Sequence, residues 1–511
     1  MRRSRRSGGT SRGRKGRGTF AVSLAHTGAS CHTPCMRSRW IYAAVPLGAL
    51  GLFLALRHPK AGGEAGKVEE IPLSKRIFRP SVESDPAYLP KLGGVDLTKL
   101  KSEGNAIVTE LPDKTQVKLT LDPHLQRTAT ALLTAYAIPE SSIVMMDPAT
   151  GHVLAYASHI EGKPNRDLNV EATAPAASVF KVVTGTALVD VAQLTPDTNQ
   201  CYTGGEQRIN AADLENDPAK DKYCATLAGA MGRSLNTVFA RLALKHLPRE
   251  KLAETAKSFY FGRELPFDVP VQPSTITLPE DSLGYARTAA GFWNTTLSPL
   301  HAAWLSATFA RGGEPVRPVI VSEIVRADQK KIYAVGEPVA LPRIMSEKTA
   351  DAVTTMMEYT VSDGTSFRAF HDRDKTPFLP GITVAGKTGT LTDAQNKRFY
   401  TWFTGFAPSK PAPGAHAVAI SVLVANGPIW KVKANVIARE MLRAFFAQEG
   451  VKGVSKPTIS ALDVKATEDA MADAKAGTPT PATSSAVVDP AGGLADPHNR
   501  QANLRRRTIR R

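Results

Sequence analysis

The chain has 511 residues, 42% of them hydrophobic, enough apolar material for one large domain or two ordinary ones. Its formal net charge of +17 invites a nucleic-acid reading, but ten Lys/Arg and no acid fall in residues 1–39, and six arginines and no acid in residues 500–511. Removing those ends leaves +1 for everything between, so a basic nucleic-acid-binding face on the folded part is not indicated.

Residues 1–39 read as a basic cytoplasmic tail. Residues 40–56 (WIYAAVPLGALGLFLAL) are seventeen without a charge, spanning roughly 25 Å as a helix, short but adequate for one transmembrane anchor. The basic flank is N-terminal, so the positive-inside rule keeps the tail in the cytoplasm. The rest is exported, as in a single-pass protein of the plasma membrane with an extracytoplasmic main domain. A cleaved signal peptide is the alternative, given Ala61, Gly62 and Gly63; Arg57, His58 and Lys60 directly after the apolar run favour a retained anchor. Met36-Arg37-Ser38-Arg39 followed by that run makes Met36 a candidate initiator in place of Met1. Cys31 and Cys35 lie in the tail, where His32 lacks a second ligand pair, and no metal site is expected. Residues 57–115, punctuated by Pro and Gly, read as a stalk or small N-terminal subdomain.

Residues 116–121 alternate as a strand, and Asp122-Pro123 then forms an N-cap with proline at the first helical position. Leu125, Ala129, Leu132, Leu133 and Tyr136 keep helical spacing. The apolar runs at 143–146 and 153–157 flank Asp147-Pro148-Ala149-Thr150-Gly151, a hairpin signal. Next comes Ser178-Val179-Phe180-Lys181 at the start of a helix-compatible run. Positions 178 and 181 share one helix face, so an amine one turn on reaches a hydroxyl at the positive end of the helix dipole. That is the geometry of an activated serine nucleophile, although Ser-x-x-Lys is also an ordinary helix start.

Cys201 and Cys224 fall in the exported part, where a disulfide persists; a bridge is favoured over two buried thiols because the segment between them is polar. Ser234-Leu235-Asn236 lies between helical stretches at 225–231 and 237–247, and alone reads as a helix cap. Strands are expected at 383–387, 400–406 and 417–425, and a closing helix at 434–446. Gly386-Lys387-Thr388-Gly389-Thr390 ends the first of these, a cationic, hydroxyl-rich edge suited to a carboxylate, with Gly389 allowing close backbone approach. This order gives an α+β fold: an antiparallel sheet built from both ends of the block 116–448, flanked by helices, with an inserted helical region. Residues 449–511, rich in Ala, Thr, Pro and Ser, read as a disordered tail.

The three polar stretches occur in the order S-x-x-K, S-x-N, K-T-G-T, their first residues 56 and 153 apart. In this the sequence resembles the penicillin-binding transpeptidases, whose signature set also marks the serine β-lactamases. Flanking segments agree, among them Leu119-Thr120-Leu121-Asp122-Pro123, Leu297-Ser298-Pro299-Leu300 and Trp402-Phe403-Thr404-Gly405-Phe406. The resemblance covers about 116–448. It departs at Pro175-Ala176-Ala177, where the family usually has Pro-Gly.

The resemblance implies a D,D-transpeptidase cross-linking peptidoglycan from stem peptides ending D-Ala-D-Ala, without a cofactor and with β-lactam antibiotics as covalent inhibitors. Ser178 would be the nucleophile, Lys181 its base and Ser234 a proton relay. Asn236 would hold the substrate amide, and Lys387, Thr388, Gly389 and Thr390 would bind the terminal carboxylate. The oxyanion hole would be the backbone N–H groups of Ser178 and Thr390. For Lys181 to act as base its pKa must be depressed by burial and by a neighbouring cation, Lys387. Partners would be stem peptides, the membrane and other cell-wall synthesis proteins, and no nucleic acid. A D,D-carboxypeptidase, a serine β-lactamase and a non-catalytic penicillin-binding sensor or scaffold are the alternatives; no Glu-x-x-Leu-Asn motif of class A β-lactamases is present.

Overall fold

The computed structural model describes residues 95–457, apart from 164–165, 206–207, 293, 394 and 412–415. The basic tail, the expected anchor at 40–56, Met36, Cys31 and Cys35 lie outside the described residues. Among the described residues no helix is long and apolar enough to cross a membrane.

The chain opens with three strands, β1 (Lys101–Glu103), β2 (Ala106–Glu110) and β3 (Gln116–Leu119). Asp122 then accepts from the N–H groups of His124 and Leu125, both at 2.8 Å, and Pro123 opens α1 (Pro123–Ala135) as the sequence requires. β4 (Glu140–Met146) and β5 (Val153–Ile160) form the expected hairpin; Asp147 caps its own turn through Ala149 N–H. A long insertion follows. It holds β6 (Ala174–Pro175), α2 (Lys181–Asp190), β7 (Asn199–Tyr202), α3 (Ala211–Leu214), β8 (Tyr223–Thr226), α4 (Leu227–Arg233), α5 (Asn236–His246), α6 (Arg249–Ser258), α7 (Ser282–Ala289) and β9 (Thr296–Leu297). The last third supplies α8 (Pro299–Ala310), β10 (Val321–Val325), β11 (Lys331–Ala334), α9 (Glu347–Ser362), α10 (Phe367–Phe370), β12 (Ala385–Asp393), β13 (Arg398–Ala407), β14 (Val418–Asn426) and α11 (Ala434–Gln448).

The central sheet is antiparallel with order β12-β13-β14-β4-β5, joining the two ends of the block as expected and leaving β12 on an edge. Both faces are covered, which is why β4 and β14 read as continuous apolar runs. Ile143 and Met145 of β4 face one core with α1 and α11; Val144 and Met146 face a second core with α8 and the insertion. α8 is buried from Pro299 through Phe309 because it lies between that sheet face and the insertion.

Three features differ from the sequence-based expectation. The strand at 116–119 is not in the central sheet; β1, β2, β3, β10 and β11 form a second five-stranded sheet, whose β2–β3 hairpin crosses the expected junction at residue 115. β3 finds its partner β10 some two hundred residues away, a pairing no local pattern encodes. Residues 449–457, assigned to the disordered tail, are held on α11: Arg443 donates to the carbonyls of Ser455 and Lys456 at 3.2 and 3.0 Å. Finally, Lys387-Thr388-Gly389-Thr390 does not end a strand. β12 begins at Ala385 and runs through it to Asp393, each residue paired with β13.

Cys201 and Cys224 face each other across β7 and β8 and form the expected disulfide. Buried Arg241 of α5 donates to Cys201 O at 2.9 Å and to the Asp221 carboxylate at 2.6 Å, fixing this hairpin against the helix that starts at Asn236.

Candidate active site

Residues Ala177–Phe180 form a short 3-10 turn that runs straight into α2 at Lys181. Residues i and i+3 eclipse in such a turn, so Lys181 stands directly over Ser178. Its Nζ donates to Ser178 Oγ at 2.9 Å, to Asn236 Oδ1 at 2.6 Å and to the carbonyl of Ala290 at 2.5 Å. Lys181 is fully buried, 5.7 Å from the centre of the Phe239 ring. Burial first, and the charge of Lys387 second, push its pKa well below the ordinary lysine value.

Ser234 caps α4 in the left-handed conformation (φ 59°), and this turn lets Asn236 begin α5 two residues later. Lys387, also fully buried, donates to Ser234 Oγ at 2.9 Å and to Thr388 O at 2.8 Å. Burial brings its pKa down to about 7. β12 is held against the turn carrying Ser178 by close packing: a Cβ on Gly389 would lie 3.2 Å from Ala177 Cβ. Trp402, opposite Gly389 on β13, donates its indole N–H to Pro175 O at 2.9 Å.

The expected residues thus gather as two hydrogen-bonded groups. Ser178, Lys181 and Asn236 form one; Ser234, Lys387 and Thr388 form the other, while Thr390 is exposed on the same strand. Asn236 accepts from Lys181 through Oδ1, and Ser234 Oγ accepts from Lys387. Sequence reading missed Ala290 O, a backbone acceptor at the end of α7 that no side-chain pattern marks. It also missed Thr365, which shares a 2.6 Å hydroxyl hydrogen bond with Thr388; its only signal was the turn cluster Asp363-Gly364-Thr365-Ser366.

Residues 141–444 match the family model described as Penicillin binding protein transpeptidase domain. The chain belongs to the penicillin-binding protein transpeptidase family. Within that family it is 26% identical to Stage V sporulation protein D of Bacillus subtilis over 320 residues, 58% of this chain and 48% of that one. It is also 26% identical over 351 residues to Peptidoglycan D,D-transpeptidase PbpA of Mycobacterium tuberculosis, covering 61% of this chain and 67% of the relative. The chain therefore spans about half the length of the first relative and two thirds of the second. The crystal structure of PBPA from Mycobacterium tuberculosis shares the fold at TM-score 0.54 and 24% identity, covering 65% of this chain and 81% of that one. The D,D-transpeptidase domain of an Eggerthella lenta peptidoglycan glycosyltransferase does so at TM-score 0.55 and 24% identity, over 66% and 84%.

Gly291 gives this penicillin-binding-family site a testable support. It has φ +80°, and a Cβ there would lie 2.4 Å from Ala177 O and 3.0 Å from Ser178 Cα. Ala177 is itself left-handed (φ 48°), so the turn carrying Ser178 has little room to yield. Gly291→Ala is expected to slow acylation of Ser178 about 10²-fold by displacing it, read from the rate of adduct formation with a fluorescent penicillin.

Proposed function

We propose that this protein is a peptidoglycan D,D-transpeptidase acting through an acyl-serine intermediate. The observation that carries the reading is the hydrogen-bonding of buried Lys181. Asn236 Oδ1 and Ala290 O are both acceptors and take two N–H bonds, so the third valence of Nζ points at Ser178 Oγ. With the pKa depressed, that valence is a lone pair in the working enzyme, able to accept the serine proton.

Ser178 Oγ attacks the carbonyl of the penultimate D-Ala, and its proton passes to Lys181. The backbone N–H groups of Ser178 and Thr390 hold the oxyanion, each such donor stabilising the transition state by about 3 kcal/mol. Collapse breaks the peptide bond; the proton that Lys181 took passes through the Ser234 hydroxyl to the leaving D-Ala amine, which returns Lys181 to its neutral form. Lys387, Thr388 and Thr390 bind the terminal carboxylate, whose negative charge favours the protonated form of Lys387. The amine of a neighbouring peptide then attacks the ester, gives its proton to Lys181 and leaves a cross-link. β-Lactams, with a carboxylate beside a reactive amide, acylate the same serine. Residues 40–56 anchor the chain in the plasma membrane, with this domain extracytoplasmic beside other cell-wall synthesis proteins.

Incubation of the protein with a D-Ala-D-Ala stem pentapeptide and an amine acceptor tests this. Free D-Ala together with a cross-linked product is expected. D-Ala without cross-link would replace transpeptidation by carboxypeptidation, and no turnover would overturn both. The pH dependence has a defined sign. Acid protonates Lys181 and removes the base; alkali removes the Lys387 charge that captures the carboxylate. Peptide kcat/KM is therefore expected to be bell-shaped, its acid limb set by Lys181, whose pKa burial and the Lys387 charge depress, and its alkaline limb set by Lys387, brought down to about 7.

A further inference from the structure

Strand β12 is bonded at Thr388 to a loop that the mechanism above leaves unused. Asp363-Gly364-Thr365-Ser366 joins α9 to α10, and the exposed Thr365 places its Oγ1 2.6 Å from Thr388 Oγ1. The same hydroxyl donates to Gly232 O at 3.3 Å, two residues ahead of Ser234. The loop is pinned where it makes these contacts. Thr365 N–H donates to that carbonyl at 3.0 Å, and Gly364 packs so closely on it that a Cβ there would lie 2.2 Å from Gly232 O. On the other side, the buried Ser366 hydroxyl accepts from Asn435 Nδ2 of α11 at 3.2 Å. The backbone carrying the Thr365 hydroxyl is thus fixed from both sides.

A hydroxyl has one hydrogen to give, and that limits what Thr388 can offer an anion. While Thr365 donates to Gly232 O, the hydrogen in its contact with Thr388 comes from Thr388, which then turns only lone pairs outward. A carboxylate needs donors. Rotating both hydroxyls reverses the chain: Thr365 donates to Thr388, and Thr388 donates outward. The oxygen atoms stay in place, and Gly232 O keeps the Thr365 N–H, so the reversal strands no backbone acceptor. The bond given up is the longer one, at 3.3 Å, and the bond gained has a charged acceptor. Such charge-assisted bonds are roughly twice as strong as neutral ones, and each link of a chain polarises the next.

We infer that Thr365 is a positioning residue for capture of the terminal carboxylate: it holds the Thr388 side chain in place and supplies the hydrogen bond that frees the Thr388 hydrogen for the anion. The inference rests on the transpeptidase reading, in which Thr388 takes part in binding that carboxylate. Thr365 acts through Thr388 and has no part in the proton transfers at Ser178, so its loss weakens recognition of the anion and leaves the acylation chemistry in place.

The test compares second-order acylation by penicillin G, which carries a free carboxylate, with acylation by its methyl ester, which does not. Thr365→Val keeps the shape of the side chain and removes the hydroxyl. It is expected to slow acylation by the acid about tenfold, the weight of one hydrogen bond to a charged group, and acylation by the ester by less than about twofold. Thr365→Ser, which keeps the hydroxyl, is expected to bring the acid back to within about threefold of wild type. A role confined to holding the loop would slow acid and ester alike. That result, an unchanged acid rate in Thr365→Val, or failure of Thr365→Ser to recover it, would overturn the role of Thr365 alone. Wild-type protein acylated by neither compound would overturn the transpeptidase reading, and this inference with it.

Discussion

Lys181→Met is expected to slow acylation of Ser178 about 10²–10⁴-fold, the range of a positioned general base, while the protein still folds. Methionine matches the length and unbranched shape of the lysine stem, so the packing around this fully buried side chain is retained. What disappears is the amine, the hydrogen-bonding partner of Ser178 Oγ at 2.9 Å. The carbonyl oxygens of Asn236 and Ala290 lose their donor too, costing roughly 1–3 kcal/mol of stability each. The rate of adduct formation with fluorescent penicillin, measured beside a thermal melt, separates the two effects. A folded variant acylated within tenfold of wild type would remove Lys181 from the mechanism.

Asp268→Ala is expected to lower unfolding free energy by about 3–5 kcal/mol, the cost of stranding one member of a buried ion pair. Asp268 and Arg317 are almost wholly buried, their side chains 4% and 3% exposed, and their charges meet in a direct hydrogen bond. The second carboxylate oxygen of Asp268 accepts from Ile320 N at 2.8 Å and Val321 N at 2.9 Å. One side chain thus ties the α6–α7 connection of the insertion to β10 and to the sheet that includes β3. Removing it leaves a guanidinium and two backbone donors without acceptors, where water has little access. Denaturant unfolding of the two proteins, with m-values compared, measures the loss. A change below about 1 kcal/mol would mean that the ion pair is dispensable.

Much of the architecture was legible because its signals are local. Asp122-Pro123 marks a helix start whatever surrounds it, and the Asp147-to-Gly151 turn forces its flanking runs to pair. The contact between Ser178 and Lys181 was readable as an i, i+3 pair, which survives the change from α-helix to 3-10 turn. The sheet assignment of 116–119 was not readable, since it depends on β10, and loop closure over that distance leaves no trace in either segment. The extent of β12 was hidden for another reason. Thr390, Thr392 and Asp393 are polar residues on an edge strand, where solvent on one side removes the apolar alternation that would mark them. The acceptor at Ala290 and the packing demand at Gly291 are properties of backbone positions brought to Ser178 by the fold. Cys201 and Cys224 were placed together on composition, and the structure adds the physical cause: they are cross-strand neighbours.

The central proposal is that Ser178 is a nucleophile activated by a neutral lysine. Its most direct test is mass spectrometry of the folded protein after incubation with penicillin G, with peptide mapping of the product. One covalent adduct on the peptide containing Ser178, absent from Ser178→Ala, is the predicted result. An adduct mapping elsewhere, or none on protein shown to be folded, would contradict it.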